Sequence, residues 1–220
     1  QKDPLGTGDE TAPSTTESAT PWSPLGPWTV VDNQGNDIAE HANVYSMAQG
    51  GGGMLYAGTE PGQVYRSSDY GANWVLTALQ VPFQGGVQAL AANALDGQTV
   101  YAGTYNAVYR SVNGGATWVS VLNSNSLNVN ELLMMPGDTN ALFAACDNGL
   151  YRSANRGATW ILVVPARTYD IAVKPGSNGR TVYAVGGTAA NQNAQFYRST
   201  NYGLTFQAVG SGWYQSTHPS

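Results

Sequence analysis

The chain has 220 residues, 27 of them glycine, and only 10% carry charge, nine Lys or Arg against fourteen Asp or Glu. An ordinary soluble domain carries about 25% charged residues and about 7% glycine, so a coiled coil or long-helix bundle, which needs Glu, Lys and Arg in quantity, is excluded. A net charge of −5 with scattered basic residues also disfavours nucleic-acid binding. At 42% hydrophobic residues a core is affordable in composition, and the expectation is an all-β chain of short strands and glycine-rich turns.

Residues 1–27 set Pro4, Pro13, Pro21, Pro24 and Pro27 among Thr11, Ser14, Thr15, Thr16, Ser18 and Thr20. Such a segment buries too little apolar surface to offset its ordering entropy, and reads as an extended leader or tether lying along a partner. No stretch of it pairs basic residues with an apolar run. The low charge and the Ser, Thr, Asn and Gly content point to a secreted, periplasmic or cell-surface protein whose signal peptide has been removed. The lack of an Asn-x-Ser/Thr acceptor leans toward a bacterial source. The longest apolar runs, Leu132–Met135 and Ile161–Val164, fall far short of the roughly 20 residues of a membrane helix. The single cysteine, Cys146, lies in an apolar run and reads as a buried small hydrophobe.

From Trp28 to residue 210 the chain repeats. An isolated strand, Trp28-Thr29-Val30-Val31, precedes four complete units. Each unit opens with an apolar strand (Val44–Ala48, Val87–Ala91, Val129–Met134, Tyr169–Val173). A second follows (Leu55–Gly58, Val100–Gly103, Leu142–Ala145, Val182–Val185). A third ends in Tyr-Arg-Ser at Tyr65–Ser67, Tyr109–Ser111, Tyr151–Ser153 and Tyr197–Ser199. The fourth is expected to begin at an aromatic residue: Trp74, Trp118, Trp160 and Phe206. Residues 211–220 form a tail. Between third and fourth strands runs a box whose Asx positions, Asp69, Asn113, Asn155 and Asn201, are spaced by 44, 42 and 46 residues. Such a period, with four strands per unit, is the signature of propeller blades.

The box has a physical logic without a ligand. An Asp or Asn side chain accepts backbone N–H bonds two residues on and closes the turn. Gly71, Gly115, Gly157 and Gly203 then supply positive φ, and the aromatic folds over the turn to fill space between sheets. This pattern resembles the Asp-box (BNR) repeat, Ser-x-Asp-x-Gly-x-Thr-Trp, of sialidases, sortilin-type propellers, xyloglucanases and photosystem II assembly factors. The resemblance spans about residues 44–210 and implies a β-propeller of four-stranded antiparallel blades, possibly part of a larger ring. It implies structural boxes and no particular activity. Only Asp69 keeps the acid, so a calcium site at each box is not expected, and Asn73 stands where the family has Thr.

Arg66, Arg110, Arg152 and Arg198 recur at one blade position, as a framework role predicts. Too few arginines remain for a sialidase site, and the family's Arg-Ile-Pro motif is absent. Carboxylates for glycoside hydrolysis exist in Glu60, Glu131, Asp147 and Asp170, but no spacing selects a pair. Strand parity places the boxes and the turns between first and second strands on one face, and the loops between second and third strands and between units on the other. There Glu60, Phe83, Tyr105, Asp147, Arg167 and Tyr169 have contact potential as binding residues. The resulting expectation is a non-catalytic subunit that binds a protein partner, with no cofactor and no metal. A carbohydrate-binding module or glycoside hydrolase fragment is the alternative, and an assembly factor a third.

Overall fold

Each repeat unit folds into one four-stranded antiparallel sheet in a computed structural model, which describes residues 43–81, 85–125, 127–187 and 194–210. The leader at 1–27, the Trp28–Val31 strand and the tail at 211–220 lie outside the described residues. Blade 1 holds β1 (Val44–Gln49), β2 (Leu55–Thr59), β3 (Gln63–Ser67) and β4 (Val75–Gln80). Blade 2 holds β5 (Ala89–Ala92), β6 (Val100–Gly103), β7 (Ala107–Ser111) and β8 (Val119–Asn123). Blade 3 is β9 (Val129–Met134), β10 (Leu142–Cys146), β11 (Gly149–Ser153) and β12 (Ile161–Val164). Blade 4 is β13 (Thr168–Val173), β14 (Val182–Gly187), β15 (Ala194–Ser199) and β16 (Gln207–Val209). Every sheet is a simple meander in chain order, and the first strands, β1, β5, β9 and β13, lie side by side at the centre.

The alternation of each strand gives a blade two apolar faces, and one blade's front packs on the next blade's back. Tyr56, Val64 and Leu79 of blade 1 meet Leu90, Val100 and Ala102 of blade 2, with Tyr109 and Trp118 against them. Tyr101 and Val108 then meet Leu132, Leu142 and Ala144, with Tyr151 and Trp160. Phe143, Leu150 and Val164 meet Ile171, Val182 and Ala184, with Tyr197 and Phe206. Tyr56, Tyr101 and Phe143 are fully buried, each such side chain contributing about 1.5–3 kcal/mol by removal from water. Cys146 is likewise buried in the blade 2–blade 3 core, and that burial pushes its thiol pKa up.

The framework arginines clasp consecutive blades. Arg66 Nη1 donates to the Gly114 carbonyl at 3.1 Å, Arg110 Nη1 to Arg156 at 2.7 Å, and Arg152 Nε to Tyr202 at 3.0 Å. Each acceptor is the residue after the box Asx in the next blade. It is held there with positive φ, as are the following glycines.

Two details of the box differ from the sequence expectation. The Ser hydroxyl, not the Asx, takes the glycine N–H: Ser153 Oγ accepts from Gly157 at 2.8 Å. The Asx reaches four residues on rather than two, with Asn155 Oδ1 accepting from the Thr159 N–H at 2.8 Å. That bond occupies the residue before the aromatic, so the fourth strand starts one residue later than expected. Trp74, Trp118, Trp160 and Phe206 therefore end the turn instead of opening the strand.

Candidate functional site at the mouth of an open cavity

The face opposite the boxes is shaped by one irregularity repeated in the central strands. β1 slips register between Val44 and Ser46, β9 between Val129 and Glu131, and β13 between Thr168 and Asp170. The skipped residues are Tyr45, Asn130 and Tyr169, and Gln88 holds the same step just ahead of β5. A bulge re-aims the extra side chain away from the ladder. Tyr45, Gln88 and Asn130, from three successive blades, line with Gly85 an open cavity of about 450 Å³. Tyr169 occupies the matching step of blade 4 and is 48% exposed.

A second ring of residues sits just above this one. Glu60, Tyr105 and Asp147 occupy the same step past the second strand of blades 1, 2 and 3. Asp147 is the hub of blade 3. Its carboxylate accepts from Asn130 Nδ2 at 3.0 Å and Asn128 Nδ2 at 3.2 Å, and it pairs with Arg167. Partial burial opposes its charge, but the bonds from Arg167, Asn130 and Asn128 outweigh that and hold its pKa below the ordinary value. The Arg167 guanidinium lies 5.7 Å from the centre of the Tyr169 ring, within cation–π range. In blade 1, Glu60 accepts from Asn43 Nδ2 at 2.7 Å. Desolvation and the Glu60 carboxylate push the Tyr45 hydroxyl pKa up.

The structure thus joins Asp147, Arg167 and Tyr169 in one group and places Glu60 beside Tyr45 in another. Tyr105 is 43% exposed, and it is its backbone carbonyl that takes part, accepting from the Asn128 N–H at 2.7 Å. Phe83 lies outside the described residues. The sequence reading looked for contacts in loops, and so passed over Tyr45, Gln88 and Asn130. Their distances to the Tyr of the Tyr-Arg-Ser mark differ, 20 for Tyr45, 21 for Gln88 and Asn130 and 28 for Tyr169, so only the register of the sheets shows that the four share one step.

Beneath the mouth, Glu131 and Asp170 meet across the joint between blades 3 and 4. Burial, then the hydrogen bond with Asp170, pushes the Glu131 pKa up to about 8, although the Ile171 N–H donates to its Oε2. The two carboxyl groups are within hydrogen-bonding contact. Glycoside hydrolysis needs them about 5–9.5 Å apart, so this pair does not have that geometry. Among the described residues no group of three or more His, Cys, Asp or Glu could hold a metal ion. A larger cavity of about 740 Å³ lies on the box face between turns of blades 3 and 4. Five of its fourteen lining residues are Pro or Gly of turns, and its Arg152 is already engaged with Tyr202.

Four antiparallel blades arranged side by side about their first strands define a β-propeller, or a part of one. No family model matches the chain, and no curated protein matches its sequence. Among solved structures it is similar to an ancestral GH74 enzyme, at 20% identity and TM-score 0.61, over 76% of this chain and 25% of that one. It is also similar to Kuenenia stuttgartiensis hydrazine synthase, at 14% identity and TM-score 0.58, over 80% of this chain and 52% of that one. A structure of YCF48 bound to D1 peptide matches at 16% identity and TM-score 0.36, over 79% and 69% of the two chains. The chain therefore spans a quarter of the first of these proteins and about half of the second. At these identities the likeness to the first two establishes the propeller fold alone.

Proposed function

We propose that this is a non-catalytic, extracytoplasmic Asp-box propeller that holds a protein partner at the mouth of its open cavity, as a subunit of a larger assembly. The observation that carries the reading is the Asp147–Arg167–Tyr169 group set beside the bulged ring of Tyr45, Gln88 and Asn130. Tyr and Arg are the side chains most enriched among interface anchors, and here they are pre-positioned by backbone irregularity and hydrogen bonds. The carboxylates at the mouth are engaged in holding other groups. Asp147 is committed to Arg167, Asn128 and Asn130, and Glu131 to Asp170 and Ile171. That arrangement favours binding over turnover. The Asp-box assignment is supported by the Ser–Asx turn recurring in all four blades with the same donor and acceptor atoms.

A glycan is the second reading, favoured by the tyrosine ring and two side-chain amides lining the cavity. Peptide-display selection and a glycan array on the same protein separate the two. Peptide ligands should weaken about 30-fold when Tyr45 or Tyr169 is replaced by Ala, the change expected of an anchor worth about 2 kcal/mol. Glycan binding lost in the same variants, or release of sugar product, overturns the protein-partner reading. Association that is transient, and not stoichiometric, would make it an assembly factor.

A further inference from the structure

The turns between first and second strands of blades 3 and 4, residues 135–141 and 174–181, face each other across the cavity of about 740 Å³ on the box face. Where blades 1 and 2 meet, the corresponding turns touch. There the Gly51 N–H donates to the Asn93 carbonyl at 3.0 Å, and a Cβ on Gly50 would lie 2.8 Å from the Gly97 Cα. Between blades 3 and 4 no hydrogen bond among the described residues joins the two turns. Each of them carries a Pro-Gly pair, Pro136-Gly137 and Pro175-Gly176. Proline offers no N–H to the facing turn, and a Cβ on Gly137 or Gly176 meets open space. The result is a trough. Its floor is the buried Met135 and Ala141, with Gly179 so close that a Cβ there would lie 2.8 Å from the Met135 sulfur. Its rims are exposed, and so are its Tyr202 and Leu204, at 49% and 56%.

The trough is cationic in an acidic chain. The net charge is −5 with nine basic residues, yet Arg152 and Lys174 line the trough against one acid, Asp138. Asp138 is turned to its own loop, where its Oδ1 accepts from the Asn140 N–H at 3.0 Å. Two more cations are tied to the same surroundings: Arg156 Nε donates to Asn140 Oδ1 at 2.8 Å, and Arg180 Nε to the Thr200 carbonyl at 3.2 Å. Lys174 makes no ion pair among the described residues. Arg152 is pinned by its Nε bond to the Tyr202 carbonyl and lies 5.9 Å from the centre of the Phe143 ring. Its two Nη atoms make no hydrogen bond among the described residues. A guanidinium held in this way presents planar donors that match a carboxylate.

We propose that this trough takes an extended acidic segment of a protein partner, with an Asp or Glu carboxylate at Arg152 and Lys174 and a neighbouring apolar side chain on Tyr202 and Leu204. The charge of the trough selects the carboxylate, and the exposed apolar pair selects what lies beside it. A small-ligand pocket encloses most of its guest, whereas exposed rims on both sides suit a chain that crosses between them. Both walls belong to neighbouring blades of this chain, so the trough stands whatever adjoins blade 1 or the far side of blade 4. It lies on the face opposite Tyr45, Gln88 and Asn130, and is independent of what they hold.

The test is an array of short peptides, each pairing one Asp or Glu with Phe, Tyr, Leu or Pro, beside copies carrying Asn or Gln instead. The array is probed with the full chain, and the retained peptides are measured by fluorescence anisotropy. Acidic peptides should bind about tenfold more tightly than their amide copies. Lys174→Glu, at an exposed site, should weaken them about tenfold, by loss of one ion pair and gain of a repulsion of similar size. Leu204→Ser, also exposed, should weaken them about fivefold. Tyr45→Ala should leave them unchanged, so failure of the reading at the other face shows in different variants. No preference for acid over amide, or binding that survives both Lys174→Glu and Leu204→Ser, overturns the inference. So does displacement by free N-acetylglutamate at equal potency, the mark of a small-acid site. Binding that appears only once residues 1–27 are removed assigns the trough to the chain's own leader, and a chain mass that doubles on concentration except in Lys174→Glu assigns it to a second copy; either result also overturns it.

Discussion

Removing one hydroxyl, Ser153→Ala, tests whether the recurring turn is held by its side chains or by the backbone alone. Ser153 is 1% exposed in a blade flanked on both sides. Its Oγ accepts from the Gly157 N–H at 2.8 Å and the Asn155 N–H at 3.3 Å, and donates to Asn155 Oδ1 at 3.0 Å. Alanine leaves the buried Gly157 donor without a partner, at about 1–3 kcal/mol. It also gives up the bond that aims Asn155 at Thr159, a further 0.5–1.5 kcal/mol or about that. The expected loss is about 2–4 kcal/mol, read as a fall in urea midpoint at constant slope. Circular dichroism and tryptophan fluorescence must trace the same transition, because a repeat protein can lose one blade before the rest. Ser124→Ala, at an exposed site, should stay within about 0.5 kcal/mol of the parent. If Ser153→Ala also stays within that margin, the side chains do not hold the turn and the reasoning fails.

Two further expectations follow from local geometry. Gly203 and Gly137 both sit at positive φ, +74° and +81°, but a Cβ on Gly203 would strike the Phe143 ring whereas one on Gly137 meets open space. Gly137→Ala should therefore cost about 1 kcal/mol of backbone strain, and Gly203→Ala at least twice that, with equal costs in thermal or urea unfolding counting against the packing argument. Glu131 has a folded-state pKa of about 8 against an ordinary 4.5, so the folded protein keeps a proton that the unfolded chain releases. Stability should thus be greatest below pH 4.5, as far as this group is concerned, and decline until about pH 8. Glu131→Gln keeps the acceptor for Ile171, and should flatten that decline and stabilise the protein at the alkaline end. An unchanged slope in urea midpoints against pH would show that the pair does not titrate this way.

The blades were legible because their determinants are local and repeated. Tyr-Arg-Ser, the box Asx and its glycine recur at nearly constant spacing, and each acts within a few residues of itself. The arginine clasp was legible only as a recurring position, since its acceptor lies 46 to 50 residues away in the next blade. The mouth was harder. Asp147, Arg167 and Tyr169 could be named from strand parity, but their convergence depends on register across two blades. Tyr45 and Asn130 were hidden because a bulge reverses which residue of a strand faces outward, Gln88 because it lies just ahead of its strand, and nothing in their composition marks the step. Glu131 and Asp170 were visible as carboxylates, and only their contact across a joint shows that they occupy each other.

The departures of these turns from the Asp-box consensus they resemble follow the same economy of local bonds. In blades 2 to 4 the Asx is Asn, and its Nδ2 donates to the hydroxyl of Thr117, Thr159 or Thr205, each at 2.9 Å. In blade 1 the Asx is Asp69, which has no donor, and the residue four on is Asn73 in place of Thr. Its Nδ2 donates to Asp69 Oδ2 at 2.7 Å. Donor and acceptor have exchanged ends, and the same loop is closed. Hydrogen bonds from the Asn73 side chain and backbone lead in lowering the Asp69 pKa to about 2, so its charge is spent within the turn. A box that closes equally well with either polarity constrains the fold and carries no information about a ligand. Under the proposed function, specificity is then to be sought where the blades differ from one another, and among the described residues the step that carries Tyr45, Gln88, Asn130 and Tyr169 is one such place.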